Sequence, residues 1–145
     1  MHRQSPSQVL QAFACDLTDP SAAASTLHSA CRVHGGAAPD SLFACAGGAV
    51  PGLFADMGAD EHWKCMEWNF RTCLNTVHEG VRAMKEAGPR AAAASGGRRS
   101  VVLTSSVLAL MSFTGYSSYS PSKYAIRGAF SPSSSHPRPL PPAAD

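Results

Sequence analysis

The sequence has no long hydrophobic run and no excess of charge. A membrane-spanning helix needs roughly 20 consecutive apolar residues, and no stretch of the 145 residues approaches that length, so we expect no transmembrane segment in this chain. The net charge of +2, with 15% charged residues, gives no electrostatic case for a nucleic-acid partner. The arginines at positions 90, 98 and 99 favour a solvated turn over a phosphate-binding patch.

The sequence also lacks paired cysteine motifs. Its 5 cysteines form no CxxC pair, their number is odd, and no signal-peptide pattern precedes them. This usage is typical of a reduced, intracellular protein. His62 and Cys65 are spaced so that they could share a helical face, but no second ligand pair has matching spacing. We therefore expect no metal site.

What the sequence does contain is an alternation of apolar segments and helical patterns. A chain of 145 residues is about one domain long, and 44% hydrophobic residues suffice for a core. The short apolar segments 9–15, 41–48 and 100–106 are predicted to be buried strands. Three helices are predicted, one capped by Thr18 and stopping at Gly35-Gly36, one over 60–87, and a short one starting near Tyr119.

This alternation predicts an α/β protein with a parallel sheet covered by helices on both faces. The helix over 60–87 is predicted from apolar residues three and four positions apart, at Trp63, Met66, Phe70, Leu74, Val77, Val81 and Met84. Of these, Trp63, Met66 and Phe70 are expected in the core. The carboxyl ends of the strands place Asp16, residues 45–48 and Ser105-Ser106 at one edge of the sheet, where such sheets bind ligands.

The two ends of the chain differ from the middle. The last fifteen residues, "SPSSSHPRPLPPAAD", are rich in proline and serine, which prevents helix and core strand. We predict that residues 131–145 are a disordered tail, that residues 1–8 are a disordered start, and that residues 9–130 form the folded domain.

Several short motifs then resemble the short-chain dehydrogenase/reductase family. "YSPSK" matches the YxxxK motif, at Tyr119 and Lys123. "TSS" supplies Ser106 thirteen residues earlier, "ACAGG" matches the turn after the fourth strand, "CDLTD" matches the end of the third, and "MEWNF" supplies Asn69. The resemblance implies a Rossmann-type doubly wound parallel sheet, incomplete because the chain matches only strands 3, 4 and 5 of the family.

The resemblance also implies catalytic roles for four residues. Tyr119 would donate a proton to the alkoxide that forms when a ketone is reduced, and Lys123 would stabilise its phenolate. A phenol ordinarily has a pKa of about 10, and a nearby ammonium favours the charged form. Ser106 would polarise the substrate carbonyl, and Asn69 would hold a water for reprotonation.

For the cofactor, the resemblance implies NADPH, although the region that selects between NAD and NADP has no counterpart here. The cofactor-binding residues would be Asp16, Ala46, Gly47, Gly48, Tyr119 and Lys123. Asp16 has the alternative of a polar strand end beside a helix cap, and Gly47 and Gly48 that of an ordinary turn. "ACAGG" carries Ala44 and Cys45 where the family usually has asparagines.

Within the family, "ACAGGAVPGLF" and "YSPSKYAIRG" are most similar to the fungal 3-ketodihydrosphingosine reductases. This implies a lipid ketone substrate and a place at the cytosolic face of the endoplasmic reticulum, or in the cytoplasm for this chain alone. The family's TGxxxGxG turn is missing, so we expect the chain to be truncated and inactive alone. The alternatives are reduction of a steroid or acyl-thioester ketone, and a non-catalytic fragment that self-associates through an open strand edge.

Overall fold

The computed structural model describes residues 8–88 and 98–130. The described residues divide into two compact units, one built from residues 8–47, 71–88 and 98–104, the other from residues 48–70 and 105–130. The predicted disorder of residues 1–8 and 131–145 falls outside the described residues, apart from Gln8.

The first unit contains a two-stranded parallel sheet. Strand β1 (Ser41–Ala44) pairs with β2 (Ser100–Leu103) in a register that sets Ser41 opposite Ser100 and Ala44 opposite Leu103. Helix α1 (Pro20–Val33) packs against α3 (Thr72–Glu86), and α3 packs against β1. The α/β class and the parallel pairing predicted from the sequence are confirmed, with both strands shorter than expected.

The predicted strand over 9–15 is wrong. Residues 8–16 form no strand, and positions 9 and 11–15 are exposed to solvent. A strand is stable only where its backbone groups meet a neighbouring strand. In the described part of the chain β1 and β2 pair with each other, and no third strand joins them.

The sheet is also not covered on both faces by the described residues. Side chains alternate between the two faces of a strand, and Leu42 lies on the face that packs against α3, close to Gly80. The next residue, Phe43, is 63% exposed, and Val102, which pairs with Phe43 in the sheet register, is exposed as well. Within the described part of the chain, this face of the sheet is therefore exposed at Phe43 and Val102.

Helix α1 begins one residue later than predicted. Its N-cap is Asp19, whose carboxylate accepts from the Ser21 N–H at 2.8 Å, and Pro20 occupies the first turn. Thr18, the predicted cap, instead donates its N–H and hydroxyl to Asp16 Oδ1 at 2.9 and 2.8 Å. The helix stops as predicted, before Gly35 and Gly36, which have φ of 70° and 80°.

The second unit contains helices α2 (Ala59–Cys65) and α4 (Tyr119–Ala129) and two short 3-10 turns (Phe54–Asp56 and Val107–Ala109). A π-helical segment (Met66–Arg71) follows α2 directly, and α3 follows it. The predicted helix over 60–87 is confirmed as helical, but the π segment is a feature the sequence pattern did not indicate.

The buried face of these helical residues differs from the one predicted. Trp63, expected in the core, is 64% exposed, and Leu74 and Val81 are exposed as well. A π turn inserts an extra residue and so breaks the 3.6-residue register. The residues that are buried are mostly small or polar: Cys65, Asn69, Thr72, Cys73, Val77, Gly80 and Met84.

Candidate active site

Tyr119 and Lys123 lie on the same face of α4, in its first two turns. Tyr119 is the first residue of the helix and is half-buried, while Lys123 is only 4% exposed. The Lys123 Nζ lies 5.5 Å from the centroid of the Tyr119 ring, within the range of a cation–π contact. The spacing of four residues predicted this proximity, because residues one helical turn apart share a face.

Ser106 follows β2 and precedes a 3-10 turn. Its hydroxyl oxygen accepts from the Leu108 N–H at 3.2 Å, so the side chain caps this turn. The turn packs against α4, and Arg127 Nη1 donates to the Ala109 carbonyl at 3.2 Å. Ser106 is half-buried, and its local structure is thus tied to the helix that carries Tyr119 and Lys123.

Asn69 lies in the π-helical segment and is buried. Its amide nitrogen donates to the carbonyls of Gly48 and Cys65 at 2.8 and 2.9 Å, and its amide oxygen accepts from the Gly48 N–H at 3.1 Å. Because an amide has two N–H hydrogens, both are engaged with backbone carbonyls. The side chain therefore fixes the backbone at Gly48, and the expected contact with a water stays a prediction.

In the first unit, Asp16 lies at an exposed turn before α1. The hydrogen bond from the Thr18 hydroxyl, together with that from the Thr18 N–H, holds the pKa of the Asp16 carboxyl below its usual value, and Arg71 adds a smaller favourable charge. The turn is held by Asn75 of α3, whose amide donates to the carbonyls of Leu17 and Thr18 at 2.9 and 3.2 Å. Sequence reasoning missed Asn75, since its partners are backbone atoms distant along the chain.

Ala46 and Gly47 follow β1 and are exposed. The Thr104 N–H donates to the Ala44 carbonyl at 3.1 Å, so the residues after β1 and β2 leave the sheet at the same edge. Small exposed residues at a strand end leave the backbone open to close approach by a ligand. The assignment of Asp16, Ala46 and Gly47 to the adenosine side of a dinucleotide stays a prediction.

The side chains of His62 and Cys65 each contact a residue of another segment. The His62 ring packs against Phe54 with centroids 4.9 Å apart, and the Cys65 thiol donates to Ser118 Oγ at 3.6 Å. None of the five cysteines, which all lie within the described residues, forms a disulfide. Over residues 8–88 and 98–130 no three histidine, cysteine or acidic side chains are grouped so that they could hold a metal ion, and no helix there is long and apolar enough to cross a bilayer.

The family model described as short chain dehydrogenase matches residues 2–135. The chain belongs to this family. It is 36% identical over 125 residues to a 3-ketodihydrosphingosine reductase of Cryptococcus neoformans, an alignment that covers 85% of this chain and 34% of the relative. It is 32% identical over 119 residues to the 3-ketodihydrosphingosine reductase of Dictyostelium discoideum, covering 82% of this chain and 34% of the relative.

Solved structures show the same fold. NAD+-bound xylitol dehydrogenase superposes with a TM-score of 0.67 at 22% identity, over 81% of this chain and 41% of that protein. A short-chain dehydrogenase from Streptomyces avermitilis gives a TM-score of 0.67 at 24% identity, over 81% of this chain and 40% of that one. The chain thus spans about a third of the length of the curated relatives named above and under half of these structures.

Proposed function

We propose that this chain carries the catalytic residues of an NADPH-dependent reductase that converts 3-ketodihydrosphingosine to dihydrosphingosine. The observation that carries the proposal is the buried Lys123 ammonium beside the ring of Tyr119, at 5.5 Å from its centroid. The relatives of Cryptococcus neoformans and Dictyostelium discoideum, both described as reductases of this ketone, support the substrate. The family resemblance favours a site of action at the cytosolic face of the endoplasmic reticulum.

The reaction needs a proton at the carbonyl oxygen as the ketone becomes an alcohol. The Tyr119 hydroxyl supplies that proton, and the Lys123 ammonium stabilises the negative charge left on the phenol oxygen. The Ser106 hydroxyl donates to the carbonyl oxygen as negative charge develops there. Asn69 keeps the loop that begins at Gly48 in place, because it bonds both backbone groups of that residue.

The cofactor, when bound, supplies the hydride. Asp16, Ala46, Gly47 and Gly48 would hold its adenosine half, and Tyr119 and Lys123 its nicotinamide ribose. The exposed backbone at 46–47 and the ionised carboxylate of Asp16 support this assignment.

A chimera tests the proposal within a full-length enzyme. The aligned residues of this chain replace their counterparts in the Cryptococcus neoformans reductase, and NADPH oxidation is followed with 3-ketodihydrosphingosine, a steroid ketone and an acyl thioester. We expect turnover with the sphingoid ketone above that with the other two.

Variants of the chimera test the residues. Tyr119→Phe and Lys123→Met each remove a group from the proton transfer and should lower kcat by at least about 100-fold. The control is Lys64→Met, at an exposed position of α2, which should leave kcat unchanged. A folded chimera that binds NADPH but reduces none of the ketones, or one that keeps its activity as Tyr119→Phe, would refute the proposal.

A further inference from the structure

Ser118, the residue before Tyr119, is 1% exposed. Its hydroxyl both donates and accepts a hydrogen bond. The hydroxyl donates to the Val50 carbonyl at 2.6 Å and accepts from the Cys65 thiol at 3.6 Å. Both donor and acceptor functions are thus engaged with groups far away along the chain. Val50 belongs to the loop after β1, and Cys65 is the last residue of α2.

The direction of this hydroxyl is unusual for its place in the chain. A serine at a helix N-cap ordinarily accepts a hydrogen bond from the second or third backbone N–H of the helix. Ser118 is the N-cap of α4 but has helical backbone angles and makes no such bond. Its side chain therefore makes a tertiary contact instead. The hydrogen bonds to Val50 and Cys65 fix the start of α4.

The loop after β1 is held at three alternate residues, all within the second unit. Asn69 bonds Gly48, Ser118 bonds Val50, and the Gly52 N–H donates to the Gly115 carbonyl at 2.9 Å. Gly52 also forms a parallel bridge with Tyr116. Of these contacts, the one from Ser118 lies directly next to the proposed catalytic tyrosine.

We propose that Ser118 is a positioning residue for Tyr119. Its buried hydroxyl fixes the first turn of α4 against the loop at Val50 and against Cys65, and this sets where the Tyr119 ring lies relative to Lys123. The role of Tyr119 in catalysis rests on the proposed function. The effect of Ser118 on the position of the Tyr119 ring is a property of the chain itself and can be measured without catalysis.

The structure offers a matched control. Ser120 lies two residues further on, is 2% exposed, and its hydroxyl has no hydrogen-bond partner among the residues that the structure describes. Ser118→Ala and Ser120→Ala thus remove the same atom from similarly buried positions on either side of Tyr119. They differ in whether that atom makes a tertiary hydrogen bond.

The test is carried out on the chain of 145 residues with 13C-labelled tyrosine rings, in which Tyr119 is identified by the signal lost in Tyr119→Phe. We expect Ser118→Ala to shift or broaden the Tyr119 signal and to leave exposed Tyr124 unchanged, whereas Ser120→Ala leaves both unchanged. Ser118→Thr keeps the hydroxyl and should keep the Tyr119 signal close to its original position.

Three results would overturn the inference: an unmoved Tyr119 signal in Ser118→Ala, an equal change in Tyr119 and Tyr124, or a Ser118→Thr protein that behaves like Ser118→Ala. In the active chimera, Ser118→Ala should lower kcat about tenfold with KM unchanged, and Ser120→Ala should change neither. An inactive chimera would refute the proposed function, while the tyrosine signals of the chain would still decide the role of Ser118.

Discussion

The side-chain amide of Asn69 hydrogen-bonds both backbone groups of Gly48, accepting from its N–H at 3.1 Å and donating to its carbonyl at 2.8 Å. A third bond runs to the Cys65 carbonyl at 2.9 Å. The amide has the right shape for this, since it carries an acceptor and two donors in one plane. It joins the π-helical segment to the loop after β1, and it does so from a buried position.

Replacing Asn69 by Asp should therefore destabilise the protein although the two side chains have nearly the same shape. A carboxylate has no N–H to donate, so the carbonyls of Gly48 and Cys65 lose their partner and face a negative charge. A buried group left without a partner costs about 1–3 kcal/mol. Urea unfolding, followed by the fluorescence of Trp63 in α2 and Trp68 in the π-helical segment, measures the change. Lys64→Gln, at an exposed position, is the control and should have the stability of the original protein; an equally stable Asn69→Asp protein would contradict the prediction.

Two helical glycines should respond differently to substitution by alanine. Gly128 in α4 has open space where a Cβ would be added, so Gly128→Ala should gain about 0.5–1 kcal/mol from the lower entropy of the unfolded chain. At Gly80 of α3 the added Cβ would collide with Leu42 Cδ2, so overpacking should offset or exceed that gain.

A double-mutant comparison isolates the cause at Gly80. In the Leu42→Ala background the collision is removed, so Gly80→Ala should be less costly there than in the original protein. Thermal unfolding of the four proteins measures the coupling between the two positions. An identical effect of Gly80→Ala in both backgrounds would show that contact with Leu42 does not limit this position.

The carboxyl of Asp16 should titrate closer to its ordinary pKa when the Thr18 hydroxyl is removed. The side-chain hydrogen bond from Thr18 is the largest cause that lowers the pKa of Asp16, and Thr18→Val deletes it while keeping the backbone bond. A lowered pKa contributes stability above the ordinary value, and this contribution is lost as the pH falls through the folded value. The carboxyl 13C signal of Asp16, followed by NMR, should thus show a higher midpoint in Thr18→Val. An unchanged midpoint would assign the shift to the Thr18 N–H and to Arg71 instead.

The features that the sequence predicted well are local ones. Helix α4 was expected to start near Tyr119, and the Tyr119–Lys123 proximity follows from helix geometry, which depends only on a spacing of four residues. The stop of α1 at Gly35-Gly36 was predicted for a similar reason, since both glycines adopt a left-handed backbone that other residues avoid. The parallel strands over 41–44 and 100–103 were predicted from short apolar segments.

The errors concern structure that depends on distant partners. Residues 9–15 have a strand-like composition but form no strand, because strand formation requires a neighbour and the described residues supply none. The buried residues of α2, the π segment and α3 are mainly small ones such as Cys65 and Gly80. The prediction was based on large apolar residues at helical spacing and therefore did not identify them.

The sequence by itself determined the family, the alternation of strands and helices, and the identity of the residues proposed for catalysis, because each depends on residue types at fixed spacing. Only the tertiary structure showed that Asn69 binds Gly48, that Ser118 binds Val50, and that Asn75 holds the turn after Asp16. These side chains bond backbone groups far along the chain, and a backbone group is the same in every residue. The sequence therefore contains no pattern that identifies the partner, and only folding brings the two together.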